Sequence, residues 1–317
     1  MKSKAMAIIG AFIVLFANAA VSAETATNPG ANGYSVSPSL NTITIQAGTT
    51  KSLTIYVQNI SHATEQVTTI TDNFIASPTN NGSPEILLNG GSTSRGLKQY
   101  ISIPDANFTL QPGQLKPVTV NIAIPANTES GGYYAAIRFA PQSFATGRNI
   151  NLTGSVTSLI MVTIPGNLRQ QLNIVKFGAG DSSGQIDSLF TSSKNIYGVV
   201  YFNNTGNIQS QPFGNFTVKQ GKGEIYNVPM NKDGGYILPA SERYFTSKLQ
   251  HIGPIGKYTI YGNFGFGTHG ELLSAKANFY VIPLWLIWSV MVLMIAAIVF
   301  LVIYFGFVRR HKNRINR

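Results

Sequence analysis

Four histidines, twelve carboxylates and no cysteine are the side chains from which a metal site or a proton-transfer pair would have to be built in this 317-residue chain. Without cysteine there is no thiol nucleophile, thiolate metal site or disulfide. His62, His251 and His269 lie far apart beside turn residues, and His311 sits in a basic run. None falls in the H-E-x-x-H spacing that puts two imidazoles on one helix face, so loop histidines are expected. Glu224, Asp233 and Glu242 are the acids that folding could pair for acid–base work, with nothing local to bring them together. Asp181-Ser182-Ser183-Gly184-Gln185-Ile186-Asp187 is oxygen-rich, but it lacks the register and closing glutamate of a calcium loop, which leaves a turn. Gly262-Asn263-Phe264-Gly265-Phe266-Gly267 has no following helix to present a phosphate. It reads as a twisted strand whose glycines ease a close approach. No G-x-S-x-G elbow occurs. The expectation is a protein without catalysis, metal or cofactor.

The elements that carry these residues follow a period of two. Leu53, Ile55 and Val57 alternate with Thr54, Tyr56 and Gln58; Val118, Val120, Ile122 and Ile124 alternate with Thr119, Asn121 and Ala123. Such alternation gives strands with one buried face. Turn residues separate them at Ala47-Gly48, Asn80-Asn81-Gly82, Asn89-Gly90-Gly91, Gln111-Pro112-Gly113 and Ser130-Gly131-Gly132. Between residues 33 and 280 no amphipathic helix is evident. Two phrases recur. Asn59 closes one apolar strand and Asn203-Asn204 another, and each half has a late G-x-Y strand, Gly131–Phe139 and Gly256–Phe266. An asparagine there can open a tight turn, and an aromatic strand can pack back across a core. The pattern predicts an all-β body of two tandem Ig-like β-sandwich domains, residues 34–165 and 166–280, followed by one transmembrane α-helix.

The two ends predict export and anchoring. Lys2 and Lys4, an apolar stretch from about Ala7 to Ala17 and the small residues Val21-Ser22-Ala23 make a secretory signal over residues 1–23, with a polar linker over 24–33. Residues 281–308 hold no Asp, Glu, Lys, Arg or His, where about 20 apolar residues suffice to cross a bilayer. Trp285 and Trp288 at one end of that run and Tyr304 near the other sit where amphipathic rings meet the headgroups. Residues 309–317 follow, with Arg309, Arg310, Lys312, Arg314 and Arg317 and no acid, which the positive-inside rule keeps in the cytoplasm. No L-P-x-T-G precedes the run, so the helix is expected to stay in the membrane as a single-pass type I anchor with the ectodomain outside.

Charge narrows the partners. The formal +11 of the chain shrinks to +4 over residues 24–280, where 16 Lys and Arg face all 12 acids. That surface has no basic run, so no nucleic acid is expected. Six N-x-S/T triplets, at Asn59, Asn81, Asn107, Asn151, Asn203 and Asn215, are frequent enough by chance in a chain so rich in Asn, Ser and Thr.

The chain resembles the WxL-interacting proteins of Gram-positive bacteria in the strand Gly48–Asn59, the turn Thr79-Asn80-Asn81-Gly82 and Leu110-Gln111-Pro112-Gly113 with the valine strand after it. Gly131-Gly132-Tyr133, Ile137-Arg138-Phe139 and Gly256-Lys257-Tyr258-Thr259 extend the resemblance. It departs at Ala135-Ala136, where that family usually has a Gly-Gly-Ile-rich segment. The resemblance implies a peptidoglycan-binding first domain, a host- or matrix-binding second domain and a membrane helix. The expected function is a membrane-anchored adhesin or scaffold, held in the lipid bilayer by its C-terminal helix and contacting cell-wall polymer or another surface protein. The alternatives are an accessory, chaperone-like subunit of a membrane or secretion complex and, third, a cell-wall hydrolase.

Overall fold

The computed structural model describes residues 33–88, 90–142, 154–268 and 270–315, the last nine of these by their backbone alone. The expected signal, nearly all of the linker, and Arg317 lie outside the described residues. The body is all-β, and one helix follows it.

The first sandwich is built from β1 (Tyr34–Ser37), β2 (Leu40–Thr44), β3 (Thr50–Asn59), β4 (Glu65–Ala76), β5 (Pro84–Leu87), β6 (Ile101–Ser102), β7 (Asn107–Leu110), β8 (Leu115–Ala123), β9 (Gly131–Pro141) and β10 (Val156–Ile164). One sheet runs β1-β3-β8-β6; the other runs β2-β10-β9-β4-β5, with β7 also paired to β4. Register follows the alternation. Ile55 faces Val118 and Leu53 faces Val120 across β3 and β8, so one side of the pair is a continuous aliphatic surface. Ile55, Val57, Val118, Val120 and Ile122 are fully buried against Ile137, Phe139, Ile160 and Val162 of the second sheet.

The second sandwich comprises β11 (Leu172–Gly180), β12 (Leu189–Phe190), β13 (Tyr197–Asn204), β14 (Phe213–Gln220), β15 (Gly223–Met230), β16 (Ser241–Lys248), β17 (Gly256–Phe266) and β18 (Glu271–Val281). Its sheets run β11-β13-β16 and β12-β18-β17-β14-β15. The core is aromatic: Phe202, Phe216, Phe264 and Phe279 are buried together. The glycine-rich stretch lies in β17. A Cβ at Gly262 would stand 2.4 Å from the Phe264 ring and 2.5 Å from the Phe177 ring, so the missing side chain is the space those rings occupy.

The repeated phrases fold alike. Asn59 and Asn204 are buried at the ends of β3 and β13, and each Nδ2 donates to the carbonyl four residues on, Ala63 at 2.7 Å and Ile208 at 2.8 Å. In the late strands, the Tyr133 hydroxyl donates back to the Glu129 carbonyl at 3.1 Å, and that of Tyr258 to the Gly253 and Ile255 carbonyls, each at 3.4 Å.

Tyr34 gives the first sandwich an alkaline limit. Burial, and then the Glu65 carboxylate that accepts its hydroxyl, push its pKa from 10.0 up to about 12. The fold favours the neutral phenol, so this contribution is complete below pH 10.0 and is lost as pH rises to about 12. Tyr34→Phe is expected to flatten that part of the decline in stability, measured by urea unfolding followed by circular dichroism at pH 9 and pH 11.5.

At the C-terminal end the element boundaries shift from those expected. Val281 is not part of the helix: it is the last residue of β18, opposite Gly256, and its side chain continues the inward series begun by Phe279. Helix α1 spans Leu284–Ile315, entered through Pro283, whose fixed φ suits a helix start. Residues 309–315 continue the same helix, because no glycine or proline follows Gly306 to end it. Its apolar part, Leu284–Gly306, is 23 residues with no burial against the protein and a mean hydropathy of 3.0, a candidate membrane span.

Candidate functional site

Strand β9 explains how a cleft forms. Gly131–Ile137 is buried on both faces of the strand. Tyr133, Ala135 and Ile137 point into the first core. Tyr134 and Ala136 point the other way and pack with Phe74 and Met161 against Tyr236 and Leu238 of the second sandwich. The small side chain of Ala136 lets that segment approach the sheet, so the Ala135-Ala136 departure lies within a buried seam. Polar bonds fix the seam. The Gly132 N–H donates to the Asn207 carbonyl at 2.8 Å, the Tyr134 hydroxyl to Gln209 Oε1 at 3.0 Å and the Tyr244 N–H to the Asn80 carbonyl at 2.9 Å. Burial raises the pKa of the Tyr134 phenol well beyond its ordinary value, keeping it a donor.

Next to the seam the two sandwiches leave a cavity of about 210 Å³. Leu40, Phe74, Leu159 and Met161 form its wall on the first sandwich; Leu238 and Arg243 contribute from the second. The Arg243 guanidinium lies 4.8 Å from the Phe245 ring centroid, and its Nη1 donates to the Tyr236 carbonyl at 2.7 Å. Its Nε is buried and has no hydrogen-bond partner. Burial pulls the arginine's pKa down, and no carboxylate stands within 4.0 Å of it among the described residues. Asp72, by contrast, is buried with Arg138 at 2.9 Å and Lys98 at 3.8 Å.

Of the three acids noted in the sequence, Asp233 and Glu242 both reach the cleft wall, while Glu224 lies on β15 opposite Lys219. His62 and His251 are exposed; His269 is outside the described residues. Among the described residues no group of three His, Asp or Glu converges on a metal position. Asp181 Oδ1 accepts from the Ser183 hydroxyl at 2.6 Å and from the Ser183 and Gln185 N–H groups at 2.8 and 3.1 Å. These bonds, the Ser183 hydroxyl first, lower its pKa and make the segment a self-satisfied turn.

The residues expected at the membrane interface fall along α1. Trp285 and Trp288 are in its first turns, 62% and 61% exposed. Tyr304 follows about 24 Å further along the axis than Trp288, close to the thickness of a hydrocarbon core. Arg309, Arg310, Lys312 and Arg314 fall in the last turns of the helix. Only Ile282-Pro283 separates β18 from α1, and the Ile282 N–H donates to the Phe190 carbonyl at 2.8 Å, so the helix leaves the sandwich on a short, hydrogen-bonded connection.

No protein-family model and no curated protein matches the sequence. Among solved structures, the class 5 fimbriae chaperone CfaA aligns with 79% of this chain and 100% of its own at 13% identity and a TM-score of 0.40. The CupB2 chaperone of Pseudomonas aeruginosa aligns with 76% and 98% at 8% identity and 0.34, and the E. coli chaperone DraB with 80% and 97% at 12% and 0.34. These are likenesses of general shape at low identity.

Proposed function

We propose that this is a single-pass membrane protein whose exported β-sandwiches hold a partner at the cell surface, without catalysis, with its basic helix end in the cytoplasm. The observation that carries this reading is the path from cleft to helix. Two sandwiches locked along a hydrogen-bonded seam stand two residues from a 23-residue apolar helix that nothing in the protein buries, a construction suited to presenting a surface at a fixed place over a bilayer. Trp285, Trp288 and Tyr304 set the depth of the span, and the arginines after it set its direction. The WxL-interacting resemblance belongs to the same proposal. Of the two expected partners, another surface protein is better supported than peptidoglycan. The exposed cleft wall is mainly apolar, whereas a glycan strand would need polar groups matched to its many hydroxyls.

A second reading, an accessory subunit that holds its client by strand pairing, is favoured by β11. This nine-residue strand is one edge of the three-stranded sheet, where a strand can be added ahead of Ala179, whose carbonyl already accepts from the Asp187 N–H.

The full chain in lipid nanodiscs is expected to capture a surface protein and little peptidoglycan. If it retains neither, the proposal fails. A chain ending at Val281 is expected to move from the carbonate-resistant membrane fraction to the soluble fraction.

A further inference from the structure

Arg243 is held in a way that the fold's own interactions leave incomplete. A Cβ at Gly82 or at Gly235 would stand 2.0 Å or 2.5 Å from its guanidinium, so both backbones close around it. It is inward-facing on β16, level with Phe202 on β13, and its single hydrogen bond goes to a neutral carbonyl. A half-buried cation without an anion is costly, whereas a charge-assisted bond to a carboxylate would satisfy it. The apolar part of the cavity is Leu40, Phe74, Leu159, Met161 and Leu238; Asp233 and Glu242 also line it, neither pairing with Arg243 within 4.0 Å. A cavity of about 150 Å³ takes benzene, so the 210 Å³ here takes about eight apolar heavy atoms.

We propose that this cleft binds a small amphipathic carboxylate, its acid group on Arg243 and its apolar body against Met161 and Leu238. Such an acid comes from a lipid-derived fatty acid or from the apolar C-terminal residue of a polypeptide; the chemistry is shared. The inference stands apart from which surface partner the protein holds.

The test uses the full chain in nanodiscs with ¹³C-methyl-labelled methionine. Met161 lines the cleft and Met230 lies in the second core, so the two methyl signals separate binding from general perturbation. Titration with N-acetyl-leucine and, separately, with octanoate is expected to shift Met161 saturably and leave Met230 in place. N-acetyl-leucinamide and octanamide should bind about tenfold more weakly or worse, the scale of one charge-assisted bond. A response to the leucine derivative alone supports a polypeptide source, and to octanoate alone a lipid source. Arg243→Met should abolish the preference for acid over amide. Leu238→Trp, which fills the space and leaves the charge alone, should abolish binding of both. A Met161 signal that neither acid moves, or equal response to acid and amide in the unaltered chain, overturns the proposal.

Discussion

Phe264→Ala is expected to destabilise the second sandwich by about 3–5 kcal/mol, the range for emptying a fully packed phenylalanine site. Phe264 is 1% exposed and meets Phe202, Phe216 and Phe177 edge-on, with centroids at 5.3, 5.5 and 6.2 Å. Alanine removes the ring on which three others close, and the strands to either side cannot collapse into the space without breaking register. β17 is paired with β18 along its whole length and with β14 from Thr259 to Gly265. Hydrogen exchange resolved by residue is the suitable measurement, since both tryptophans lie in the helix and their fluorescence does not report on the sandwiches. Protection should fall across β14, β17 and β18 and hold in β3 and β8. Phe264→Leu should lose less than half as much. Gly262→Val attacks the same packing from below, because the ring lies over Gly262, and should cost about 2 kcal/mol or more through overpacking. Equal protection in the alanine variant and the parent would mean the cluster is not the centre of this core.

What could be read from the sequence depended on whether a strand has one buried face. Leu53/Ile55/Val57 and Val118/Val120/Ile122 alternate because their other face meets water, so the sandwich architecture was readable there. β9 shows no alternation from Gly131 to Ile137, because the first core covers one side and the second sandwich covers the other. The seam joins Tyr134 and Met161 to Tyr236 and Leu238 across long stretches of chain, and no local period encodes that meeting. The cleft was therefore invisible in the sequence. One clue existed. In Ser241-Glu242-Arg243-Tyr244-Phe245 the arginine shares the period-two face of buried Phe245, and a charge on an inward position is the mark of a site or of an ion pair. Which of the two could be decided only in the fold, where no carboxylate among the described residues stands within 4.0 Å of it.

The asparagines show the opposite case, where the residue was readable but its task was larger than expected. Asn59 and Asn204 were expected to open turns, and each does: Asn59 Oδ1 accepts from the Ser61 N–H at 2.8 Å and Asn204 Oδ1 from that of Gly206 at 2.9 Å. Each also reaches across its sandwich. Asn59 Nδ2 donates to the Leu110 carbonyl at 3.1 Å, and Asn204 Nδ2 to the Ile237 carbonyl at 2.9 Å. The side chain thus ties a strand end, its turn and a distant segment together, fully buried in both cases. Alanine would remove at least three hydrogen bonds of a buried side chain at each site and leave the turn N–H without its acceptor. The Ile237 carbonyl, however, keeps the Ser210 N–H and the Ala63 carbonyl the Ser61 hydroxyl. With buried orphan groups at about 1–3 kcal/mol each and some relief from entering water, each variant should lose about 2–4 kcal/mol. Aspartate sharpens the test, because it keeps the turn acceptor and turns an oxygen toward two carbonyl oxygens. Asn204→Asp should therefore be no more stable than Asn204→Ala, whereas an asparagine serving only its turn would be replaced by aspartate at almost no cost. Urea unfolding of both variants followed by circular dichroism decides between these outcomes. In Asn204→Ala the loss should extend to Ile237, which forms the floor of the cleft beside Arg243, so a latch built to close a sandwich also sets the shape of the site between the two.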